Sequence, residues 1–374
     1  MFKVLKQVRI IPAVLALLLA GSLGMAAVSK DVKPVELSLE QCFKLAEENN
    51  NQIELAKLGI DKAKIAKRQF DRQYDLWEAV GNNSYEMKSS MEVGKVSAEM
   101  GVVLAEKAYK NAVQQVKFGV EAAYYAALQA RDNVEINEAS LKRAEEQLQL
   151  SKLEYKVGRV AKKDVLDVEV QVARAKADYN QALRDRDIAY MKLKQVIGID
   201  LDTPIELTSN FTFDTGEEIN LEEAVDRALN ERIEIVQAEQ GLAVAQKDFE
   251  IADAFYSPNV YTYKEKELAL QEARIKLEDT KALIEVEVRE AYFKMKGAEE
   301  SIEVLKKSVD YARESLRLAK LQYQAGLIRS IDVMAVENAL KQAEAQKAAV
   351  IYGYNLAKAQ FYNAIGGNPN KDRH

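Results

Sequence analysis

The sequence contains almost none of the side chains on which catalytic and metal centres depend. Cys42 is the only cysteine, and His374, the last residue, is the only histidine. One cysteine cannot form an intramolecular disulfide, and one terminal histidine cannot supply a metal site or an acid–base centre. The chain offers no convergent set of nucleophile, base and ligand residues. We therefore expect no enzyme activity, no cofactor and no bound metal.

Helix breakers and long apolar runs are also scarce. The 374 residues include 16 glycines and 5 prolines, and 30% of them are charged. The sequence has no apolar run of about 20 residues, which argues against a helix that spans a bilayer. The 53 basic and 59 acidic residues are interspersed, and no basic stripe points to a nucleic acid as a partner. This composition, rich in Ala, Glu, Lys, Leu and Gln, predicts long helices.

The N-terminal segment 1–26 has the pattern of a secretory signal peptide. Three basic residues precede an apolar stretch that ends at Ala20, and small residues around Ala26 offer a cleavage site. We therefore expect export from the cytoplasm, with residues 27–37 as an N-terminal linker. Ser22 stands where a lipoprotein signal has its lipid-bearing cysteine, so we expect no lipid anchor.

Two halves of the chain repeat one helical pattern. Tyr155 and Gly158 are matched by Tyr323 and Gly326 at one shared offset. Apolar residues recur every seven positions in both halves, and this spacing predicts left-handed coiled coils. The first series is Val134, Leu141, Leu148 and Tyr155, then Val168, Ala175, Ala182 and Ala189; the second is Ile302, Val309, Leu316 and Tyr323, then Val336, Ala343, Val350 and Ala357. The sequence predicts an all-α fold of two tandem repeats, each a long antiparallel coiled-coil helical hairpin.

Capping and turn signals set the predicted boundaries. Ser38 and Asn220 each precede a helical pattern and are followed three residues later by Gln or Glu, which is the capping-box pattern. Gly158 and Gly326 stand where a helix needs a left-handed C-terminal cap. We expect a first repeat at 38–198, a linker at 199–218 with a short strand at Ile205–Leu207, a second repeat at 219–367 and a disordered tail at 368–374.

The two repeats differ in length. The offset that relates Ala46 to Ala228 near the first helices is larger than the one that relates Gly158 to Gly326. The first repeat therefore has about fourteen extra residues, which we place between Tyr74 and Val116. Its long helix is expected from about Val93 to Val157, which corresponds to about 90 Å.

These features together resemble the TolC-like outer-membrane efflux family over about residues 37–367. The tandem repeat matches, as do the helix openings at Leu39 and Leu221 and the Tyr-x-x-Gly-x5-Asp segments that begin at Tyr155 and Tyr323. The resemblance implies a homotrimer whose long helices close a tunnel, continued by a β-barrel in the outer membrane. It also implies that the hairpin tips meet a membrane-fusion adaptor bound to an inner-membrane pump, and that cargo passes through unchanged.

The resemblance also suggests site residues at the tips. The adaptor-docking candidates are Gly158, Arg159, Val160, Gly326, Leu327 and Ile328, and the aperture candidates are Tyr155, Asp164, Tyr323 and Asp332. Other interpretations stay open at this point. The two aspartates could stabilise helix N-termini, the glycines could be helix caps without a partner, and the tyrosines lie on the heptad series and could pack there.

One part of the family pattern is missing from the sequence. A membrane strand needs about 9–11 residues of alternating character, and only residues 257–263 have a strand-like pattern where the family inserts strands. We therefore expect a barrel-less or shortened member, with membrane contact that is peripheral or made through partners. The expected role is an export-channel component of the cell envelope. The alternative is an elongated coiled-coil spacer or scaffold without a transport role, and an enzyme is a distant third.

Overall fold

The protein is built from eight helices and one small sheet in the residues that the structure describes. The computed structural model describes residues 34–81, 84–209 and 219–367. The first half contains β1 (Val35–Leu37), α1 (Leu39–Asn49), α2 (Asn51–Val80), α3 (Tyr85–Lys156), α4 (Lys162–Ile197) and β2 (Ile205–Leu207). The second half contains α5 (Leu221–Glu231), α6 (Ile233–Phe255), α7 (Tyr261–Gln324) and α8 (Ser330–Ala364). The predicted all-α class is confirmed. The predicted signal peptide and the predicted C-terminal tail lie outside the described residues.

Side-chain caps define where the short helices begin. Ser38 Oγ accepts a hydrogen bond from Gln41 N, and Gln41 Oε1 accepts one from Ser38 N, which completes the predicted capping box before α1. Asn220 caps α5 through its side-chain oxygen, but Glu223 accepts from the Asn220 side-chain amide instead of the backbone. The second cap is therefore not the reciprocal pair that the sequence pattern predicts.

The long helices begin earlier than the sequence suggests. The helix expected from about Val93 begins at Tyr85, because Ser84 caps it by accepting from Met87 N. With 72 residues, α3 is about 110 Å long. The segment 257–263, whose pattern is strand-like, forms no strand, since α7 begins at Tyr261 after a short turn.

The extra residues of the first half lie within helices and not in an inserted segment. Helix α2 has 30 residues against 23 in α6, and α3 has 72 against 64 in α7. The α2–α3 connection (81–84) and the α6–α7 connection (256–260) are both short. Each helix of the first pair is thus about one heptad longer than its counterpart.

The predicted strand at Ile205–Leu207 is present, but its partner was not predicted. Residues 35–37, which the sequence assigns to the N-terminal linker, form β1 and pair with β2 in parallel. Tyr124 on α3 donates a hydrogen bond from its hydroxyl to Leu37 O at 3.0 Å. The small sheet is thereby attached to the middle of α3, far from either tip.

The four long helices lie side by side in the order α7, α8, α3, α4. Helices α7 and α8 pack as one hairpin, α3 and α4 pack as the other, and α8 lies against α3. The predicted heptad series of the second half is buried at Ile302, Val309, Leu316 and Tyr323. In the first half, Leu141 and Leu148 are only partly buried and Tyr155 is exposed, so that series is not the principal seam. The buried line of α3 is instead Ser140, Ala144, Gln147 and Ser151, which faces α8.

Every helix in the described ranges is too short or too polar to serve as a membrane span.

Candidate functional site at the hairpin tips

The tip of the first hairpin is a glycine-capped turn between α3 and α4. Gly158 has φ +76°, in the left-handed region that favours glycine. Gly158 N donates to Tyr155 O at 3.0 Å, and Arg159 N donates to Glu154 O at 2.9 Å. This pair of bonds is a Schellman motif, which satisfies carbonyls that the end of α3 would otherwise leave without partners.

The tip of the second hairpin has the same backbone arrangement. Gly326 has φ +73°, its N–H donates to Tyr323 O at 2.9 Å, and Leu327 N donates to Gln322 O at 2.9 Å. The predicted cap conformation is therefore present at both glycines. Apart from each glycine and its two chain neighbours, no heavy atom lies within 4 Å of a Cβ placed on either of them, so the space around both turns is open.

The two predicted aperture aspartates act as helix caps. Asp164 Oδ2 accepts from Ala161 N at 3.0 Å, and Asp332 Oδ2 accepts from Arg329 N at 2.9 Å. The backbone hydrogen bond from Arg329 lowers the pKa of Asp332 below its usual value, helped by the Arg329 side chain. The helix-capping interpretation is thus directly visible, while the aperture role remains a prediction.

The two predicted aperture tyrosines have different surroundings. Tyr323 is 7% exposed, and its hydroxyl bonds to Glu154 on α3. Burial, followed by the Glu154 hydrogen bond, raises the pKa of Tyr323. Tyr155 is 46% exposed, although its place in the first half is the same. Only one of the two tyrosines therefore packs within the chain.

A polar contact between α3 and α8 lies beside Tyr323, and sequence reasoning missed it. Ser330 Oγ lies 2.8 Å from Ser151 Oγ and accepts from Gln147 Nε2 at 2.8 Å. All three side chains are buried. The sequence does contain a signal for this contact, because small and polar residues on α3 recur at a heptad-like spacing of four, three and four. They are Ser140, Ala144, Gln147 and Ser151. A search for apolar positions does not find them.

An ion pair continues this contact along α8. Arg143 Nε donates to Glu337 Oε1 at 2.6 Å, and Glu337 is 1% exposed. Burial raises the pKa of the Glu337 carboxyl, and the guanidinium of Arg143 opposes that rise. In the described structure, Glu337 Oε2 and Arg143 Nη2 are both buried without a hydrogen-bond partner. The two hairpins are therefore joined by a polar seam near the second tip.

The predicted docking residues line the outer surface of the tips to different degrees. Leu327 is strongly exposed, whereas Ile328 is partly covered by the apolar cluster around Val333. Arg159 is exposed and Val160 is half-buried. The first tip also has a run of positive charge, with Lys156, Arg159, Lys162 and Lys163 close together in the sequence.

The second tip is less basic. Residues 324–331, which correspond to 156–163, contain one cation, Arg329. Its Nη2 lies 3.5 Å from Asp332 Oδ1. The two tips therefore combine one backbone geometry with different charge.

Comparison with known proteins gives a consistent result for family and fold. The sequence model of the family described as "Outer membrane efflux protein" matches residues 54–199 and 262–367. The alkaline protease secretion protein AprF of Pseudomonas aeruginosa is 22% identical over an alignment 345 residues long, and the match covers 79% of this chain and 71% of AprF.

Solved structures share the fold at low sequence identity. A membrane protein from Pseudomonas aeruginosa has a TM-score of 0.73 and 15% identity, covering 90% of this chain and 91% of its own. The outer membrane protein VceC of Vibrio cholerae has a TM-score of 0.70 and 15% identity, and the match covers 88% of this chain and 96% of VceC. The CmeC outer membrane channel of Campylobacter jejuni has a TM-score of 0.69 and 15% identity, covering 88% and 85%.

The family match includes the long helices and tips of both hairpins, and together its two segments cover more than half of the residues. The predicted resemblance is thereby confirmed. Proteins of this family are channels, which agrees with the expectation that the chain is not an enzyme. The chain belongs to the outer membrane efflux protein family.

Proposed function

We propose that this protein is the channel subunit of an export system in the cell envelope. Three copies close a helical tunnel, and the hairpin tips meet an adaptor protein that is bound to an inner-membrane pump. A cleaved signal peptide at residues 1–26 brings the chain to the envelope. Cargo passes through the tunnel without chemical change.

The observation that carries the proposal is the open edge on each side of the helix layer. Helices α8 and α3 pack against each other in the middle, whereas among the four long helices α7 packs against α8 and α4 packs mainly against α3. Helix α7 exposes large apolar side chains at heptad spacing, on a stripe separate from its buried one. They are Leu283, Val286, Phe293, Val304, Tyr311, Leu318 and Leu321.

The opposite edge, α4, has a matching stripe. Its exposed positions at heptad spacing are Leu166, Val170, Ala173, Ala177 and Met191. The two edges of the layer are formed by different helices, α7 and α4. This supports a head-to-tail contact, in which α7 of one copy meets α4 of the next. Such contacts generate a closed ring when the rotation from one copy to the next returns to the first copy. A ring of long hairpins that lie side by side encloses a tunnel.

The charge on the first tip supports docking to an acidic surface. Its four cations are exposed around an open glycine turn. Charge complementarity speeds encounter and fixes orientation at an interface. We therefore assign to the adaptor an acidic patch that receives residues 156–163.

The ring is tested by the mass of the processed protein in solution, together with electron-microscope images of the particle. We expect three copies and a central opening at tens of micromolar protein. A monomer at that concentration, or a dimer without an opening, would contradict the proposal.

Tip docking is tested separately by charge reversal. Lys162→Glu combined with Lys163→Glu should reduce export strongly in cells without another copy of the gene, while mass and thermal unfolding stay unchanged. The matched control is Lys57→Glu with Lys62→Glu on α2, which makes the same change of charge away from the tips. Equal export by both variants would remove the docking role from the first tip.

A further inference from the structure

The ends of the hairpins opposite the tips carry an exposed apolar surface that the tunnel and its docking do not use. Helix α3 begins at this end and reaches its tip only after about 110 Å. The ring of Tyr85 lies 4.8 Å from that of Tyr256 and 5.9 Å from that of Phe255, centroid to centroid. These contacts hold the start of α3 against the end of α6, and the hydroxyl of Tyr74 on α2 donates to Glu92 on the same part of α3, so the three helix ends lie together.

Both connections, together with the adjoining helix ends, lack charged residues in a chain that otherwise has many. Residues 79–85 and 254–263 contain no charged side chain, although 30% of the whole sequence is charged. Four of the ten residues in the second segment are aromatic, namely Phe255, Tyr256, Tyr261 and Tyr263. Tyrosine and tryptophan are enriched where a protein meets the boundary between lipid and water.

The apolar side chains at this end point into solvent. Tyr261 is 92% exposed, Val80 is 79% exposed and Leu76 is 65% exposed, and Phe255 and Val260 are also exposed. Trp77, the only tryptophan of the chain, lies among them with its ring 5.2 Å from that of Tyr74. We call this surface, formed by Leu76, Trp77, Val80, Phe255, Val260 and Tyr261, the uncharged end.

We propose that the uncharged end rests on the surface of a lipid bilayer and inserts these side chains into the headgroup region. The charges around it indicate which lipids fit. Residues 74–88 and 253–266 contain five carboxylates and three lysines, so the flanking turns have no excess of positive charge. A zwitterionic bilayer matches this arrangement, whereas anionic lipids would be repelled slightly. The proposal does not depend on the number of copies in the tunnel, since each chain carries the whole surface.

Trp77 provides a direct probe because its fluorescence is the only indole signal. The experiment uses processed protein whose mass shows that residues 1–26 are gone, since a retained signal peptide would bind lipid by itself. Neutral phosphatidylcholine vesicles should shift the emission to shorter wavelength, and brominated lipids should quench it. Added salt or anionic lipid should not strengthen the binding.

Matched variants decide whether this surface is responsible. Leu76→Asp with Tyr261→Asp should weaken vesicle binding by roughly tenfold or more, because both side chains lose contact with the apolar region. The control is Leu55→Asp, on the same helix and 67% exposed, which should bind like the parent protein. All variants should keep the parent's mass in solution.

Three results would overturn the proposal. The first is vesicle binding that the double variant retains. The second is binding that requires anionic lipid and disappears in salt, which would point to the basic tips. The third is end-to-end pairing of particles without lipid, abolished by the same double variant, which would make a second copy the occupant. Each leaves the tunnel and the docking of the tips untouched.

Discussion

The two hairpin tips have the same backbone and different surroundings. Gly158 and Gly326 adopt nearly equal φ angles, and an aspartate six residues later reaches back to a backbone N–H in both. Yet Tyr323 is buried against α3, while Tyr155 is exposed. The backbone is equal because local sequence determines it, through a left-handed glycine and a capping carboxylate. The side chains differ because a neighbouring hairpin covers only the second tip.

This difference indicates what the isolated chain lacks. Near the second tip, α3 supplies Ser151, Glu154 and Arg143 to the second hairpin. In the repeat, α7 is the counterpart of α3 and would supply the same kind of contact to the first hairpin. Within one chain α7 lies at the far edge of the layer and cannot reach α4. A second copy could, and the exposed stripes on α7 and α4 lie where such a contact would form.

The largest expected effect concerns two ion pairs, one that joins the two hairpins and one within the first hairpin. Arg143→Ala leaves the buried Glu337 carboxylate without its partner and should lower the free energy of unfolding by about 3 kcal/mol. The comparison is Lys152→Ala, which removes the partner of Glu169, the first-half equivalent of Glu337. That pair is about half exposed, so the cost should stay under about 1 kcal/mol. Denaturant unfolding at one fixed, low protein concentration measures both. Equal losses would mean that the buried ion pair between the hairpins and the exposed pair within the first hairpin contribute alike to stability.

The next effect should be equal at the two tips. Gly158→Val and Gly326→Val each place a branched side chain on a left-handed backbone, at a cost of about 1–2 kcal/mol. Because no atom beyond the adjacent residues lies within 4 Å of the new Cβ at either site, the expected loss comes from backbone strain. Thermal or denaturant unfolding tests this. A loss several times larger at one tip would show that the two turns are not equivalent.

A smaller effect should depend on pH. The pKa of Asp332 is lowered by its hydrogen bond from Arg329 N, so its ionised form favours the folded state. This contribution is complete above the usual value of 3.8 and is lost as the pH falls through the lower folded pKa. Asp332→Ala should therefore cost less than about 1 kcal/mol at pH 7, and the difference from the parent should shrink below pH 3.8. A difference that is constant over pH 3–7 would argue that the carboxylate charge plays no part.

The smallest effect concerns the tyrosine hydroxyls. Tyr323→Phe removes the bond to Glu154 and should cost about 1 kcal/mol, whereas Tyr155→Phe should stay within about 0.5 kcal/mol. Unfolding of the dilute chain measures both. A substantial loss with Tyr155→Phe only at concentrations where copies associate would strengthen the comparison, since a neighbouring copy would then cover that residue. A loss in the dilute chain would contradict it.

Periodicity and capping signals made most of the fold predictable. Heptad spacing predicted the second hairpin, and Gly158, Gly326 and the following aspartates marked where the helices end. Errors arose where a tertiary contact decides. Helix α3 starts earlier than predicted, at Tyr85, where the Ser84 cap is joined by ring contacts of Tyr85 with Phe255 and Tyr256. Strand β1 forms because β2, far along the chain, offers a parallel edge.

The site was less predictable than the fold. The docking and aperture positions came from the family pattern, and the structure places all of them at the tips. The seam of Arg143, Gln147, Ser151, Ser330 and Glu337 was missed because polar side chains in a helix are usually solvated. Their burial depends on α8 lying against α3, and the spacing within one helix does not specify which helix is its neighbour.

The most direct test of the account is a cross-link between the edges of neighbouring copies. At the offset that relates Gly158 to Gly326, the contact between Arg143 and Glu337 inside the chain would correspond, in the proposed ring, to one between Tyr311 and Glu169 of neighbouring copies. Tyr311→Cys with Glu169→Cys adds two thiols at the edges of the layer, while the native Cys42 is buried. Treatment with a short thiol-specific cross-linker should give a covalent species of three chains that each single-cysteine variant fails to form. Only cross-links within one chain, or no species beyond the monomer at tens of micromolar, would contradict the ring.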